Sequence, residues 1–78
     1  MTGITLRRLD AARNMRRFYM LDVQPDLFGA FALVREWGRI GRAGRVSTAP
    51  YSTEAEAHAA LQRQQRAKER RGYRPSSP

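Results

Sequence analysis

Short runs of hydrophobic and strand-forming residues, separated by polar or glycine-rich stretches, occupy the first two thirds of the chain. Within them, Tyr19, Leu21 and Val23 alternate with polar or flanking positions, and so do Leu33 and Trp37. This period of two is typical of strands with one buried face. The pattern predicts four strands, at residues 4–9, 17–23, 31–37 and 45–51.

The segments between these strands contain turn and loop signals. Residues 10–16 form a polar connection, and Gln24-Pro25-Asp26 is a turn sequence, because proline fixes one torsion and aspartate bonds to its own backbone. Residues 38–44 form a loop punctuated by glycine. We therefore expect the second and third strands to be neighbours in an antiparallel meander.

The period changes after residue 51. Thr53-x-x-Glu56 is a capping box, with Ser52 as a competing N-cap, and good helix formers follow as far as Arg71. A weakly apolar stripe predicts that the helix lies edge-wise on the sheet, partly covered by the stem of its lysine: Ala57, Ala60, Leu61, Gln64 and Lys68. Gly72 stands where a left-handed residue ends a helix. The fold class is therefore α+β, an antiparallel sheet followed by one helix.

The chain has 78 residues, which is enough for one domain with a thin core. We expect the domain to span residues 1–74 and the tail Arg74-Pro75-Ser76-Ser77-Pro78 to be disordered, with the boundary after residue 74. Such a core favours a binding surface over an enclosed catalytic pocket. No secretory signal and no membrane segment is found in the sequence, so a cytoplasmic, soluble protein is expected.

Charge is the strongest feature of the composition. Fifteen Lys and Arg residues against seven Asp and Glu give a net charge of +8, and fourteen of the fifteen cations are arginine. The planar guanidinium matches phosphate oxygens in pairs, and a field of this sign attracts polyanions. The alternative is a generally basic protein encoded by a genome rich in arginine codons.

Few residues suit catalysis. The chain has no cysteine, and its single histidine, His58, lies in the predicted helix. Glu54 and Glu56 fall in the first helical turn, where negative charge complements the helix dipole. No serine or threonine has a visible base partner. These observations predict a non-enzymatic protein with no metal site and no cofactor.

The stretch from Trp37 to Arg45 is the first candidate binding site. Gly38, Gly41 and Gly44 occur at every third position, and three arginines follow the same spacing: Arg39, Arg42 and Arg45. Glycines expose backbone N–H groups, arginines supply phosphate forks, and the ring of Trp37 suits a sugar or an unstacked base. The alternative is a hairpin loop whose glycines serve turn geometry, with Trp37 in the core.

A second candidate lies on the helix, where Arg63, Arg66 and Arg70 fall within about a third of the circumference, opposite the core-facing stripe. Arg63 and Arg66 predict a track for a phosphate backbone. The alternative is that cations near a helix C-terminus only stabilise the helix.

Several motifs in order make the chain resemble the WGR domain, a family known from poly(ADP-ribose) polymerases and short bacterial proteins. Asn14 followed by residues 17–21 is similar to the family's Asn-x-Lys-Phe-Tyr segment, and residues 37–41 are similar to its Trp-Gly-Arg-Val-Gly. Gly44, Tyr51, the helix opening Ser-Thr-Glu-Ala and the closing Lys68…Gly72-Tyr73 complete the series. The resemblance covers residues 4–74.

The resemblance implies a curved antiparallel sheet with one C-terminal helix packed across it, and binding of DNA at strand breaks. It implies that Trp37 contacts the sugar of a terminal nucleotide and that Arg39 lies at the same terminus. Asn14 and Tyr73 stand at matching positions. One departure is Glu36, where the family commonly has arginine; its carboxylate would repel phosphate unless a nearby cation pairs with it.

Three hypotheses about partners follow. The first is a monomeric module that binds DNA ends or breaks and that associates with the nucleoid if the source is bacterial. The second is an adaptor that docks an acidic protein partner. The third is a general RNA-binding module, which aromatic residues on an exposed sheet face would favour.

Overall fold

The structure, a computed structural model, describes residues 2–75, apart from the side chain of Thr2. Four long strands form an antiparallel sheet: β1 (Thr2–Asp10), β2 (Met15–Pro25), β3 (Phe31–Arg39) and β4 (Arg45–Tyr51). A helix, α1 (Glu54–Arg70), crosses one face, and a two-residue strand, β5 (Arg74–Pro75), joins the edge. The curved sheet has the order β4-β3-β2-β1-β5. The predicted α+β class is confirmed.

The core lies between α1 and one face of the sheet, which we call the helix face. Alternate residues of the central strands point into it, and Leu6, Leu21 and Leu33 are almost completely buried. Ala57, Ala60 and Leu61 form the buried side of α1, as the stripe predicted. Burying each leucine stabilises the fold by about 1.5–3 kcal/mol. The opposite side of the sheet, which we call the open face, has no helix on it.

Both ends of α1 are capped. The side chain of Thr53 accepts a hydrogen bond of 3.1 Å from the Glu56 N–H, so Thr53 and not Ser52 is the N-cap. At the other end Gly72 has a φ of 98°. Its N–H donates to the Glu69 carbonyl and that of Tyr73 donates to the Lys68 carbonyl, which is a Schellman motif. This motif returns the chain to the sheet and buries Tyr73 in the core.

Several predicted boundaries were wrong because pairing between strands extends the ladders. The polar connection is shorter than predicted, with a 3-10 turn at Ala11–Arg13, and β2 continues through Pro25. Gly38 and Arg39 belong to β3 and not to a loop. Pro25 is tolerated because the pairing of β1 with β2 ends at Val23, so its missing N–H costs no bond on that side.

The predicted disordered tail was wrong for its first two residues. Arg74 and Pro75 pair with Arg7 and Leu6 of β1. The tail prediction rested on side chains that bury nothing, whereas backbone pairing on a sheet edge needs no buried side chain. Residues 76–78 lie outside the part of the chain that the structure describes.

Between residues 2 and 75 no helix has the length and apolar character needed to cross a membrane.

Candidate nucleic-acid interface

Three arginines stand side by side on three neighbouring strands. Arg8 of β1 is opposite Arg17 of β2, which is opposite Arg39 of β3. Directly opposed residues of antiparallel strands hold their Cβ atoms about 4.5–5.5 Å apart. All three side chains lie on the helix face, beyond the C-terminal end of α1. We call this set the arginine row; its members Arg8 and Arg17 were missed by the sequence analysis.

The neighbouring row on the same face contains the tryptophan of the Trp-Gly-Arg motif. Leu6, Tyr19, Trp37 and Arg45 are opposed across four strands. The ring of Trp37 stacks on Tyr19 with 5.9 Å between centroids, and the Arg35 guanidinium lies 5.8 Å from the Trp37 ring centre. Trp37 is half-buried, so it packs against the core and also reaches the surface.

A cleft of about 590 Å³ opens beside the arginine row. Its lining includes five of the residues predicted from sequence and three that were not: Asn14, Trp37, Gly38, Arg39 and Tyr73, with Arg13, Met15 and Arg17. Residues far apart in the sequence therefore meet where β2 begins, β3 ends and the chain leaves α1. We call this the terminal cleft.

A second cleft, of about 390 Å³, adjoins the first. Arg17, Trp37 and Tyr73 line both. The remaining lining of the second cleft is mostly cationic: Arg8, Tyr19, Arg35, Lys68 and Arg71. The two clefts therefore adjoin at Arg17, Trp37 and Tyr73, and we call them together the trough.

The trough carries positive charge with no acidic side chain in its lining. Among the described side chains the single ion pair joins Arg13 to Asp10 at 3.7 Å, outside the arginine row.

Burial lowers the pKa of Lys68, and the neighbouring charges of Arg71 and Arg35 lower it further. Its ammonium lies 4.6 Å from the ring centre of Tyr19. An anion in the trough would relieve this repulsion.

Asn14 enters the terminal cleft because the preceding turn is capped. The Asp10 side chain accepts a hydrogen bond from the Arg13 N–H, and Asn14 adopts the left-handed conformation, with φ of 51°. Asparagine tolerates this conformation better than most residues. Its side chain is exposed and has no hydrogen-bond partner among the described residues.

The glycines of the motif serve chain packing. A Cβ on Gly44 would lie 2.6 Å from the Trp37 carbonyl oxygen and 2.8 Å from the Phe18 ring, and one on Gly38 would lie 3.1 Å from the Gly44 Cα. Gly41 has a φ of 89° in the turn. Gly38 and Gly44 therefore let β3 and β4 approach each other over Phe18, whereas Gly41 serves the turn, and Gly38 contributes its backbone to the cleft.

The other predicted arginines lie outside the trough. Arg42 is exposed in the turn, and Arg45 is exposed on β4 opposite Trp37. Arg63 lines a different, smaller cleft between α1 and β4, and Arg66 is exposed on the helix. The predicted helix track is therefore not continuous with the arginine row.

Glu36, the departure from the family pattern, lies on the open face. It is opposed to Met20 on β2 and Val46 on β4. Because consecutive strand residues point to opposite faces, its carboxylate is directed away from the cleft that Trp37 lines. No cation needs to pair with it to protect the trough.

Comparison with known proteins places the chain. The family model of the WGR domain matches residues 3–78. An uncharacterized protein of Sinorhizobium fredii (strain NBRC 101917 / NGR234), y4dW, is 41% identical over 70 residues, which are 90% of this chain and 34% of that protein. The chain thus spans about a third of the length of this relative. No solved structure matches the chain at a significant level.

WGR domains are in general nucleic-acid-binding modules of proteins similar to poly(ADP-ribose) polymerases. The family model covers nearly the whole chain, and the relative is similar to it over nine tenths of its length. The chain belongs to the WGR domain family.

Proposed function

We propose that the chain binds nucleic acid without catalysing a reaction, and that it recognises a DNA end or strand break with the trough. The observation that carries this proposal is the arginine row. Arg8, Arg17 and Arg39 are directly opposed on one face, with no acidic side chain in the adjoining clefts. Such a row is unfavourable unless an anion binds to it.

The shape of the trough supports binding of a strand terminus. A terminal phosphate monoester carries a charge of about −1.5 to −2 at neutral pH, more than an internal phosphodiester, so it suits several guanidiniums on one site. The half-buried indole of Trp37 offers a flat surface to the adjoining sugar. Asn14 offers an amide, and Lys68 and Arg71 extend the positive charge along the second cleft.

Two alternatives predict other behaviour. An adaptor for an acidic protein would bind DNA ends and closed circles equally weakly. A general RNA-binding sheet would present aromatic rings on the open face, where Phe18 is the one aromatic side chain among the described strand residues, with its ring against Gly38 and Gly44. This arrangement does not favour the RNA alternative.

The function is tested by comparing ligands that differ in one feature. A nicked duplex with a 5′-phosphate, the same duplex without it, a closed circle, single-stranded DNA and RNA are titrated at two salt concentrations. We expect the phosphorylated nick to bind most tightly. If about four phosphates are neutralised, log K falls with log salt with a slope of about −3 to −4. A flat salt response, or equal affinity for nick and circle, contradicts the proposal.

Replacing Arg39 tests the site itself. We expect Arg39→Ala to weaken binding of the phosphorylated nick by about 1–3 kcal/mol, the loss of a charge-assisted contact. Arg7→Ala is the matched control, because Arg7 lies opposite Phe18 on the open face and its loss changes the net charge equally. Wild-type affinity in Arg39→Ala removes this residue from the site.

A further inference from the structure

The charges of the chain are divided between its two ends. Residues 18–34 and 46–62 hold no lysine or arginine, and they hold four of the seven acidic residues. These are Asp22, Asp26, Glu54 and Glu56. In the antiparallel sheet both segments run toward the end where Pro25, Phe31 and Tyr51 are opposed. The molecule therefore has an acidic end and, at the arginine row, a basic end.

The acidic end carries an apolar projection. In the turn between β2 and β3, Leu27 and Phe28 are 96% and 92% exposed. The turn is held by the Asp26 side chain, which accepts hydrogen bonds of 2.8 Å and 2.9 Å from the N–H groups of Phe28 and Ala30. We call Leu27 and Phe28 the hairpin tip. Two adjacent, nearly fully exposed hydrophobic side chains on a hydrogen-bonded turn are suited to insertion into a partner.

The basic end carries a complementary depression. A groove of about 390 Å³ lies beside the 3-10 turn, with more apolar than polar surface, and we call it the end groove. Leu9, Ala11 and Met15 supply its apolar lining and Arg16 its charge, while Asp10 is paired with Arg13. Leu9 is 65% exposed. An apolar groove bordered by arginine is complementary in polarity and charge to an apolar tip bordered by aspartate.

We infer that two copies of the chain associate head to tail, with the hairpin tip of one in the end groove of the next. Tip and groove lie at opposite ends of the sheet, since the eight steps from Arg17 to Pro25 span roughly 26 Å. The contact is heterologous, so it leaves one free tip and one free groove and permits further copies to add. Like-charge repulsion disfavours contact between two tips or between two grooves.

The association is weak. Two side chains and a groove rim bury far less than the roughly 1,200 Å² of a stable interface. A monomer is therefore expected in dilute solution, and association is expected at millimolar concentration. The end groove shares Asn14 and Met15 with the terminal cleft, whereas Leu9, Leu27 and Phe28 lie outside the trough. Substitutions at Leu9 and Phe28 therefore test the inference separately from the proposed function.

Mixing two complementary variants tests the inference. Phe28→Ser removes an apolar side chain of the tip and keeps the groove. Leu9→Glu places in the groove a negative charge, the same sign as Asp26 at the tip, and keeps the tip. Both residues are exposed, so the fold is retained. Val46→Ser, at another exposed apolar residue, is the matched control for Phe28→Ser. Amide shifts of ¹⁵N-labelled chains are recorded between micromolar and millimolar concentration.

In the wild type and in Val46→Ser we expect concentration-dependent shifts at both the tip and the groove. In Phe28→Ser alone and in Leu9→Glu alone we expect none. Labelled Phe28→Ser mixed with unlabelled Leu9→Glu recovers shifts at the groove only, and the reverse labelling recovers them at the tip only. The inference is overturned if the wild type shows no shifts, if Phe28→Ser alone retains them, or if the mixture fails to recover them. Phe28→Ser keeps its affinity for nucleic acid in every case.

Discussion

The arrangement of the side chains in the arginine row destabilises the fold. Like charges directly opposed on neighbouring strands are destabilising, and cross-strand pairs are worth roughly 0.2–1 kcal/mol. Arg17 has such a neighbour on each side, Arg8 and Arg39. Within the described chain none of the three has an acidic partner. Binding of an anion would neutralise this repulsion, so the free energy that destabilises the free protein would favour the bound state.

Arg17→Thr is therefore expected to stabilise the protein, by about 0.2–1 kcal/mol at low salt, because threonine favours strands and removes both repulsive pairs. The gain shrinks at high salt, which screens exposed charges. Urea denaturation at two ionic strengths measures it. Arg16→Thr is the control, since Arg16 is opposed to Leu9. Equal effects of the two substitutions would mean that the row stores no repulsion.

Lys68 gives the site a dependence on pH. Burial and the charges of Arg71 and Arg35 lower its pKa, so it loses its proton at a lower pH than an ordinary lysine. A bound phosphate favours the charged form and raises this pKa. Affinity for the phosphorylated nick is thus expected to fall as pH rises through the lowered pKa.

The control for this prediction is Lys68→Arg, because arginine keeps its charge throughout that range. Binding titrations from neutral to alkaline pH are compared for the two proteins. We expect the fall in affinity with rising pH to be smaller in Lys68→Arg than in the wild type. Identical pH profiles would show that Lys68 does not face the bound anion.

Part of the candidate site was predicted from the sequence, and part of it was not, for a definable reason. Trp37, Arg39, Asn14 and Tyr73 were found through motifs that occur in order along the chain, and all four line the terminal cleft. Arg8 and Arg17 join the row only through the register of β1 with β2, which no local motif specifies. One signal was available: Arg17 shares a strand face with Tyr19, two residues on.

At the scale of elements, the hairpin of β3 and β4 depends on close approach of two backbones. The missing side chains of Gly38 and Gly44 leave room for the Phe18 ring and for the Trp37 carbonyl. This packing fixes the strand that carries both Trp37 and Arg39. Gly38 and Gly44 therefore affect the position of β3, the strand that carries Trp37 and Arg39.

Gly44→Ala is expected to destabilise the fold by about 1–3 kcal/mol, because its Cβ would overlap backbone that cannot turn aside. It is also expected to weaken nucleic-acid binding by displacing Trp37. Gly29→Ala is the control: its φ of 81° makes alanine strained, but nothing lies within 4 Å. Thermal melts measure the loss of stability, and titrations with the nicked duplex measure the loss of affinity, for both variants. If Gly44→Ala folds and keeps its affinity for the nick, the packing at Gly44 does not determine the position of Trp37 in the site.

Elements with local signals were predicted well, and elements that depend on pairing were not. The helix was predicted nearly to the residue because Thr53 caps its start and Gly72 ends it, and both signals are local. The strand at residues 45–51 was also correct. The extension of β3 through Arg39 and the pairing of Arg74 and Pro75 with β1 both come from neighbouring strands, which local sequence does not reveal.

At the scale of the whole molecule, the strand topology brings arginines that are far apart in the sequence to one end of the sheet. The segment pairs at residues 7–8 and 16–17 lie at the same end because β1 and β2 are antiparallel, and Arg39 joins them because β3 reverses again. The C-terminal half of α1 adds Lys68 and Arg71. Seven of the fifteen cationic residues therefore line one trough, while the opposite end is acidic and apolar.

The central claim is that this trough, and not net charge alone, binds nucleic acid. Arg16 and Arg17 are consecutive in β2 and point to opposite faces, so Arg16→Ala and Arg17→Ala change the charge equally and differ only in the face. The most direct measurement is the affinity of both variants for a nicked duplex with a 5′-phosphate. We predict a loss of about tenfold or more, about 1.4 kcal/mol, for Arg17→Ala and little change for Arg16→Ala. Equal losses in the two variants would contradict it.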